Sequence, residues 1–192
     1  MTIFLVRHGE TEWNRTGRYQ GRFDSPLTAG GVAQAEAIGM RLAALPEAAD
    51  AAMVASPLGR AVRTAAIIAE CLGHRAPPRI DERLRELSLG AWDGLDRAEI
   101  RRRAPALFIG PDRRNWYFRS PDGETYEAFA ARLAAWLGDA DERPTIAVCH
   151  GVVTRVLRGL YAGLPRQEAL ALPAPQDRIF RLAGGRIGEI AA

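Results

Sequence analysis

Two short apolar runs, far apart along the chain, each end in the dipeptide His-Gly. The first run covers residues 3–6 and is followed by Arg7 and His8, and the second covers residues 145–149 and is followed by His150. Continuous apolar runs of this length are typical of parallel strands that are buried on both faces. Because the carboxyl ends of parallel strands meet at one edge of a sheet, we expect the two histidines to lie close together there.

The rest of the first half alternates between apolar runs and amphipathic stretches, which is the pattern of an α/β protein. Thr28 is predicted to cap a helix that runs to about Leu45, and residues 51–55 form the next buried strand. Ser56 and Pro57 are predicted to supply an N-cap and a first-turn proline for a second helix.

The second half is predicted to be less regular before it returns to this pattern. Asp96 is predicted to cap a short helix, and residues 105–123, with three prolines and two glycines, form an irregular excursion. A longer helix begins at Glu124, and residues 177–190 close the chain as a hairpin. Because no repeat or linker interrupts this order, we predict a single domain over residues 1–192.

Composition and charge exclude several classes of protein. The chain has 192 residues, of which 47% are hydrophobic and 26% charged, so it can bury a sizeable core. All 26 basic residues are arginines and 23 residues are acidic, and the net charge of +3 is too small for an extended nucleic-acid surface. No apolar run approaches the roughly 20 residues of a membrane span. With an early Arg7 and only two cysteines, the chain is predicted to be cytoplasmic.

Arginines accompany the two histidines at the predicted sheet edge. Arg7 precedes His8, and Arg60 follows the strand at residues 51–55 by a few positions. The planar guanidinium group matches phosphate oxygens in pairs, which makes arginine the preferred side chain for fork-like contact with phosphate. The residues alone therefore predict a pocket in which an anionic group faces a nucleophile.

Residues 7–14, RHGETEWN, resemble the signature of the histidine phosphatase superfamily, the phosphoglycerate-mutase-like clan. Further segments resemble the family's later motifs and occur in the family's order. These segments are residues 19–28, 56–64, 84–94, 121–125 and 149–151. Within the superfamily, the chain resembles the phosphatase branch, which includes alpha-ribazole phosphatase and broad-specificity phosphatases.

The resemblance implies a fold and an activity. The fold is a three-layer α/β/α sandwich, with a mostly parallel central sheet and helices on both faces. The activity is hydrolysis of a small phosphomonoester through a phosphohistidine intermediate, without a metal ion or an organic cofactor. Consistent with that expectation, the two site histidines lack the His-x-x-x-His, Cys-x-x-Cys or carboxylate cluster that would complete a zinc site.

The family's catalytic roles carry over to five residues. His8 matches the nucleophile that takes the phosphoryl group. Arg7, Arg60 and His150 match the residues that hold the non-bridging phosphoryl oxygens. Glu86 matches the acid that protonates the leaving oxygen and later takes a proton from water. This last assignment depends mainly on the resemblance, because the sequence around it also offers Glu82 and Asp93.

The resemblance also implies residues that contact the substrate. Asn14 is predicted to donate a further hydrogen bond to the phosphate. The other residues predicted to bind substrate are Gln20, Gly21, Arg113, Arg114 and Gly151.

Two other functions remain open at this point. A cofactor-dependent phosphoglycerate mutase uses the same residues around the phosphate, and Arg113-Arg114 resembles the paired arginines of mutases. Against a mutase, the span between Gly94 and Pro121 is short, whereas mutases usually carry an insertion there. A catalytically idle module that binds a phosphorylated ligand would usually have lost one of the five catalytic residues. The predicted partner is a small phosphomonoester, with no nucleic acid or membrane, and a homodimer is left open.

Overall fold

The computed structural model describes residues 1–109, 115–140 and 143–192, and within these ranges a six-stranded sheet forms its centre. The strands are β1 (Thr2–Arg7), β2 (Ala52–Ala55), β3 (Arg79–Ile80), β4 (Thr145–Cys149), β5 (Arg178–Ala183) and β6 (Arg186–Ala191). Their spatial order is β3-β2-β4-β1-β5-β6. The four strands from β3 to β1 are parallel, and β5 pairs antiparallel with β1 on one side and with β6 on the other. The prediction of a mostly parallel sheet is confirmed.

Helices cover both faces of the sheet. In the described ranges they are α1 (Glu12–Arg15), α2 (Ala29–Ala43), α3 (Gly59–Cys71), α4 (Arg97–Arg103), α5 (Tyr126–Gly138), α6 (Gly151–Ala162) and α7 (Arg166–Ala171). Strand β1 shows how the layers are joined, because its side chains alternate between two buried clusters. Phe4 and Val6 pack with apolar residues of α2 and α3, whereas Ile3 and Leu5 pack with those of α5 and α6. The three-layer α/β/α sandwich is therefore confirmed.

Most of the predicted helix starts and turns are found. The Thr28 side chain accepts a hydrogen bond from the Gly31 amide and caps α2. Asp96 forms a capping box with Glu99 at the start of α4. The closing hairpin turns at Gly184-Gly185, where both glycines have positive φ.

The prediction for the start of α3 was wrong. The helix begins at Gly59, and its N-cap residue, Leu58, makes no side-chain capping hydrogen bond. Instead, Asp24 Oδ1 from the loop after α1 accepts the Arg60 amide in the first turn at 3.2 Å. The hydroxyl of Ser56, which was predicted to be the cap, instead lies 2.6 Å from a ring nitrogen of His150. The Ser56 hydroxyl therefore makes a tertiary contact with His150 at the sheet edge and does not cap α3.

The excursion at residues 105–123 contains two short 3-10 helices in its described part. They cover Pro105–Phe108 and Trp116–Arg119, and the Trp116 ring packs against Tyr19, Trp92 and Phe108. In the part of the chain that the structure describes, no helix is both long and apolar enough to cross a membrane.

Candidate active site

A cavity of about 420 Å³ lies at the carboxyl ends of β1 and β4. Eight of the residues predicted for the site line it. These are Arg7, His8, Asn14, Gln20, Gly21, Arg60, Glu86 and Gly151. His150 is fully buried directly beside them, with its ring centroid 5.2 Å from that of His8. Arg113 and Arg114, also predicted to bind substrate, lie outside the described residues.

The His8 ring is held in one tautomer and one orientation. Its Nδ1 atom lies 2.7 Å from the carbonyl oxygen of Gly9, which can only accept, so Nδ1 carries the hydrogen. Nε2 therefore has the lone pair, and it receives a hydrogen bond from Arg60 Nε at 3.3 Å. Burial, reinforced by the charges of Arg7 and Arg60, holds the pKa of His8 well below its usual value. The ring is neutral and its reactive nitrogen faces the cavity.

Arg60 is fixed by acceptors on the loop that follows α1. Its Nη1 donates to the Phe23 carbonyl at 2.6 Å and to Asp24 Oδ1 at 3.0 Å. Its Nη2 donates to the Gly21 carbonyl at 2.9 Å. Gly21 has a positive φ of 50°, and a Cβ there would lie 1.6 Å from an Asp93 oxygen, so glycine is required. The backbone of Gly21 thus holds the arginine in addition to lining the cavity.

Arg7 and His150 each present a buried nitrogen that lacks a partner among the described residues. For Arg7 this atom is Nε, while its Nη1 donates to the Ala174 carbonyl at 2.5 Å. For His150 it is Nδ1. An unpaired buried polar atom typically costs about 1–3 kcal/mol, a cost that an anion bound between these two residues would remove. Burial lowers the pKa of Arg7 to about 10, which leaves it charged at neutral pH.

The Ser56 hydroxyl is the hydrogen-bonding partner of His150 Nε2. The Ser56 oxygen accepts the Leu58 amide hydrogen at 3.4 Å, so its own hydrogen is available for His150 Nε2 at 2.6 Å. When the hydroxyl donates to Nε2, the neutral ring carries its hydrogen on Nδ1, where it can donate to an anion. Burial, followed by the charge of Arg60, holds the pKa of His150 well below its usual value.

Glu86 lies on the other wall of the cavity. One carboxylate oxygen accepts the Leu87 amide at 2.9 Å and the other accepts the Val152 amide, at the start of α6, at 3.3 Å. The alternatives from sequence are placed elsewhere. Glu82 is 65% exposed and pairs with Arg85, and Asp93 accepts backbone amides from two loops. Among the described residues, Glu86 is the carboxylate that lines the cavity.

Asn14 and Gln20 are held through their side-chain amides. Asn14 Oδ1 accepts the Thr11 amide at 3.2 Å and Gln176 Nε2 at 3.1 Å, so its own NH2 group is the part left for a ligand. Gln20 donates to Thr11 Oγ1 at 2.7 Å, and its own oxygen is buried without a partner among the described residues. Asn14 thus has a donor, and Gln20 an acceptor, left over for a ligand, and their contact with the substrate stays a prediction.

The sequence analysis missed several residues near the site. Gln176 bridges the His8 carbonyl and Asn14, and it belongs to no motif that could have revealed it. Tyr117 and Arg155 line the cavity, and Arg155 Nε donates to the Leu172 carbonyl at 2.7 Å. Arg155 could have been found, because it lies in the first turns of a helix that begins at His150-Gly151.

No metal centre is evident in the described ranges, where no group of three or more His, Cys, Asp or Glu side chains could hold an ion. Residues 3–184 match the model of the histidine phosphatase superfamily, branch 1. The chain belongs to this superfamily. Its members include phosphatases and mutases.

Similar proteins carry names of both kinds. A probable phosphoglycerate mutase, GpmB, of Proteus mirabilis (strain HI4320) is 35% identical over 195 residues, which cover 99% of this chain and 84% of that protein. A mycobacterial glucosyl-3-phosphoglycerate phosphatase, solved with VO3, is 29% identical with a TM-score of 0.77, covering 100% of this chain and 96% of the other. The alpha-ribazole phosphatase of Shigella flexneri, at 23% identity, shows the same fold with a TM-score of 0.83 and coverage of 100% and 95%.

Proposed function

We propose that this superfamily member hydrolyses small phosphomonoesters through a phosphohistidine on His8. The observation that carries the proposal is the state of that ring. Its Nδ1 hydrogen is committed to the Gly9 carbonyl, and its Nε2 atom lies at the cavity between Arg7 and Arg60, where its lone pair accepts the 3.3 Å hydrogen bond from Arg60 Nε. A neutral, oriented imidazole between two guanidinium groups is suited to attack on a bound phosphoryl group.

In the first step, Nε2 of His8 attacks phosphorus in line with the bond to the leaving oxygen. The new N–P bond forms as the P–O bond breaks, and Glu86 in its protonated form gives its proton to the departing oxygen. Arg7, Arg60 and the Nδ1 hydrogen of His150 bind the non-bridging oxygens. The Nδ1–H of His8 stays on the Gly9 carbonyl and supports the positive charge that develops on the ring.

In the second step, Glu86 is a carboxylate and accepts a proton from water. The water oxygen attacks phosphorus, the N–P bond breaks, and inorganic phosphate leaves. His8 returns to the neutral form and Glu86 to the acid, so the cycle needs no co-reactant other than water.

The second candidate is a phosphoglycerate mutase, favoured by the name of the Proteus mirabilis relative. A mutase must keep water from the phosphoenzyme and retain its bisphosphorylated intermediate, which requires an extensive cover. The described cover over this cavity consists of short turns, of which Trp116 and Tyr117 contact it. The complete set of chemically competent groups argues against an idle binding module.

The deciding experiment incubates the purified protein with 3-phosphoglycerate and a trace of 2,3-bisphosphoglycerate, and measures 2-phosphoglycerate and free phosphate together. A panel of phosphomonoesters gives the best hydrolytic rate for comparison. We expect phosphate release and little isomerisation. Isomerisation faster than the best hydrolysis in the panel would replace the phosphatase proposal with the mutase.

A further inference from the structure

The segment that carries Glu86 has little regular structure of its own. Residues Glu82–Leu84 form one 3-10 turn, and the chain then runs as a loop to Gly90. The Glu86 carboxylate reaches the cavity from this loop, so its position depends on whatever holds the loop backbone. Two backbone carbonyls of the loop, those of Arg83 and Glu86 itself, accept hydrogen bonds from Arg132 of α5.

Arg132 is in turn held in a nearly buried ion pair. Its Nε and Nη2 donate to the two carboxylate oxygens of Glu124 at 2.7 and 3.0 Å, and the two side chains are only 18% and 12% exposed. The guanidinium also lies 4.5 Å from the centre of the Phe129 ring. Bidentate pairing fixes the plane of a guanidinium group, so the direction in which Arg132 donates to the loop is fixed as well.

Glu124 adds a contact of its own to the same loop. Its backbone amide donates to the Ser88 carbonyl at 3.0 Å. The Arg132–Glu124 pair therefore holds the loop at residues 83, 86 and 88, on both sides of the Glu86 side chain. The Glu86 carbonyl lies 3.4 Å from Arg132 Nη2, so the arginine contacts the backbone of the same residue that carries the acid.

We propose that Arg132, oriented by Glu124, is a positioning residue for Glu86, an inference that rests on the acid role given to Glu86 in the proposed function. Arg132 does not line the cavity and acts through the backbone of the loop. Its loss displaces the carboxylate from the leaving oxygen and leaves His8, Arg7 and Arg60 in place. The effect is therefore greatest for substrates whose leaving group needs a proton.

The test compares kcat/KM for 4-nitrophenyl phosphate with kcat/KM for the alkyl phosphate that the enzyme hydrolyses fastest. The nitrophenolate group leaves with little protonation, whereas an alkoxide does not. In Arg132→Met we expect the alkyl-to-nitrophenyl ratio to fall about tenfold, because misplacing a catalytic group by a fraction of an ångström has effects of this order. The ratio does not depend on how much of the sample is folded, since both rates scale with the active fraction.

Arg166→Met is a control taken from a more exposed arginine–glutamate pair, whose side chains are 34% and 77% exposed. Arg166 also pairs with a glutamate of α5, Glu127, at 3.3 Å and stacks on an aromatic ring, that of Tyr126, at 4.1 Å, but it makes no contact with the Glu86 loop. The alkyl-to-nitrophenyl ratio of kcat/KM in Arg166→Met should equal that of the wild type. If Arg132→Met yields no soluble protein, Arg132→Lys tests the proposal instead. Lysine cannot reproduce the bidentate contact with Glu124 and should still lower the ratio severalfold.

The Glu86→Gln background separates the two proposals. There, adding Arg132→Met should lower the ratio no further, because the group it positions has already lost its proton. An unchanged ratio in the Arg132 variants, or an equal fall with and without Glu86→Gln, would overturn the positioning role while leaving the proposed function intact. If Glu86→Gln alone leaves the ratio unchanged, the acid assignment itself is wrong.

Discussion

The wall of the cavity that carries His8 and the wall that carries Glu86 are held by different kinds of structure. His8 follows a central strand with neighbours on both sides, and its amide donates to the Cys149 carbonyl of β4 at 2.9 Å. Glu86 sits in a loop that depends on side-chain contacts from α5. The nucleophile wall (Arg7, His8, Arg60 and His150) lies at the ends of two central strands and the start of α3, and the loop after α1 holds Arg60. The acid wall (residues 83–88) lies in a loop that buried Leu84 and Leu87 anchor and that α5 holds through polar contacts. Changes to the first should affect every substrate alike, and changes to the second should depend on the leaving group.

The largest effect is expected in the nucleophile wall. His8→Ala removes the atom that forms the covalent bond, so turnover should fall by about 10⁴-fold or more for alkyl and aryl phosphates alike. Wild-type enzyme quenched during turnover should carry phosphate on His8 that is stable to alkali and labile to acid, and the variant should carry none. Substantial activity in His8→Ala would exclude the phosphohistidine mechanism.

The next effect is expected in the acid wall. Glu86→Gln cannot donate or accept the proton, so alkyl phosphates should lose about 10²- to 10⁴-fold in kcat/KM, and 4-nitrophenyl phosphate much less. Because the water that releases phosphate also loses its base, rapid-mixing experiments should show a burst of nitrophenolate equal to the enzyme concentration. Equal losses on both substrates with no burst would show that changes to the acid wall do not depend on the leaving group.

A smaller effect is expected from a residue behind the nucleophile wall. Ser56→Ala removes the donor to His150 Nε2 and should lower kcat/KM about tenfold for all substrates, the equivalent of one hydrogen bond of about 1.4 kcal/mol. Ser25→Ala is a suitable control, because Ser25 is also buried and accepts a backbone amide, that of Trp13, but does not line the cavity. Wild-type rates in Ser56→Ala would show that His150 does not depend on the serine.

The smallest effect concerns stability. The pKa values of His8 and His150 are lowered by burial and by the neighbouring arginines, so the folded protein keeps both rings neutral where the unfolded chain protonates them. The free energy of unfolding should therefore be unaffected by these rings above pH 6.5. Below pH 6.5 it should fall as pH falls, by up to about 1.4 kcal/mol per pH unit for each ring.

Urea unfolding at pH 7.5, 6.5 and 5.5 measures this dependence. His8→Ala should show a shallower loss of stability between pH 6.5 and 5.5 than the wild type, because one of the two rings is gone. Parallel curves would mean that His8 is protonated in the folded protein.

The contrast between the walls also explains how much the sequence could predict. The strands before His8 and His150 are apolar runs, and their burial on both faces follows from composition alone, so the meeting of the two histidines was predictable. The role of Ser56 was not, because a serine before a helix is an ordinary cap and only the folded sheet brings His150 next to it.

The acid wall was predictable only through family resemblance. Glu86 lies among other carboxylates in an irregular stretch, and the arginine that holds its loop is 46 residues further on. Gln176 is 168 residues from the His8 carbonyl that it binds. No local propensity or periodicity encodes contacts at such separations, since each depends on tertiary packing that places two distant segments side by side.

The connection between α7 and β5 has a consequence for the order in which the protein is made. Three consecutive carbonyls in it, those of Leu172, Pro173 and Ala174, accept hydrogen bonds from Arg155, Arg158 and Arg7. Gln176 then reaches back to the nucleophile loop at the other end of the chain. A nascent chain without residues 173–192 already contains all the predicted catalytic residues. It cannot orient Arg7, because the Ala174 carbonyl that Arg7 binds is still missing. Contacts between residues so far apart in sequence form slowly, so we expect the orientation of Arg7 to be completed late in folding.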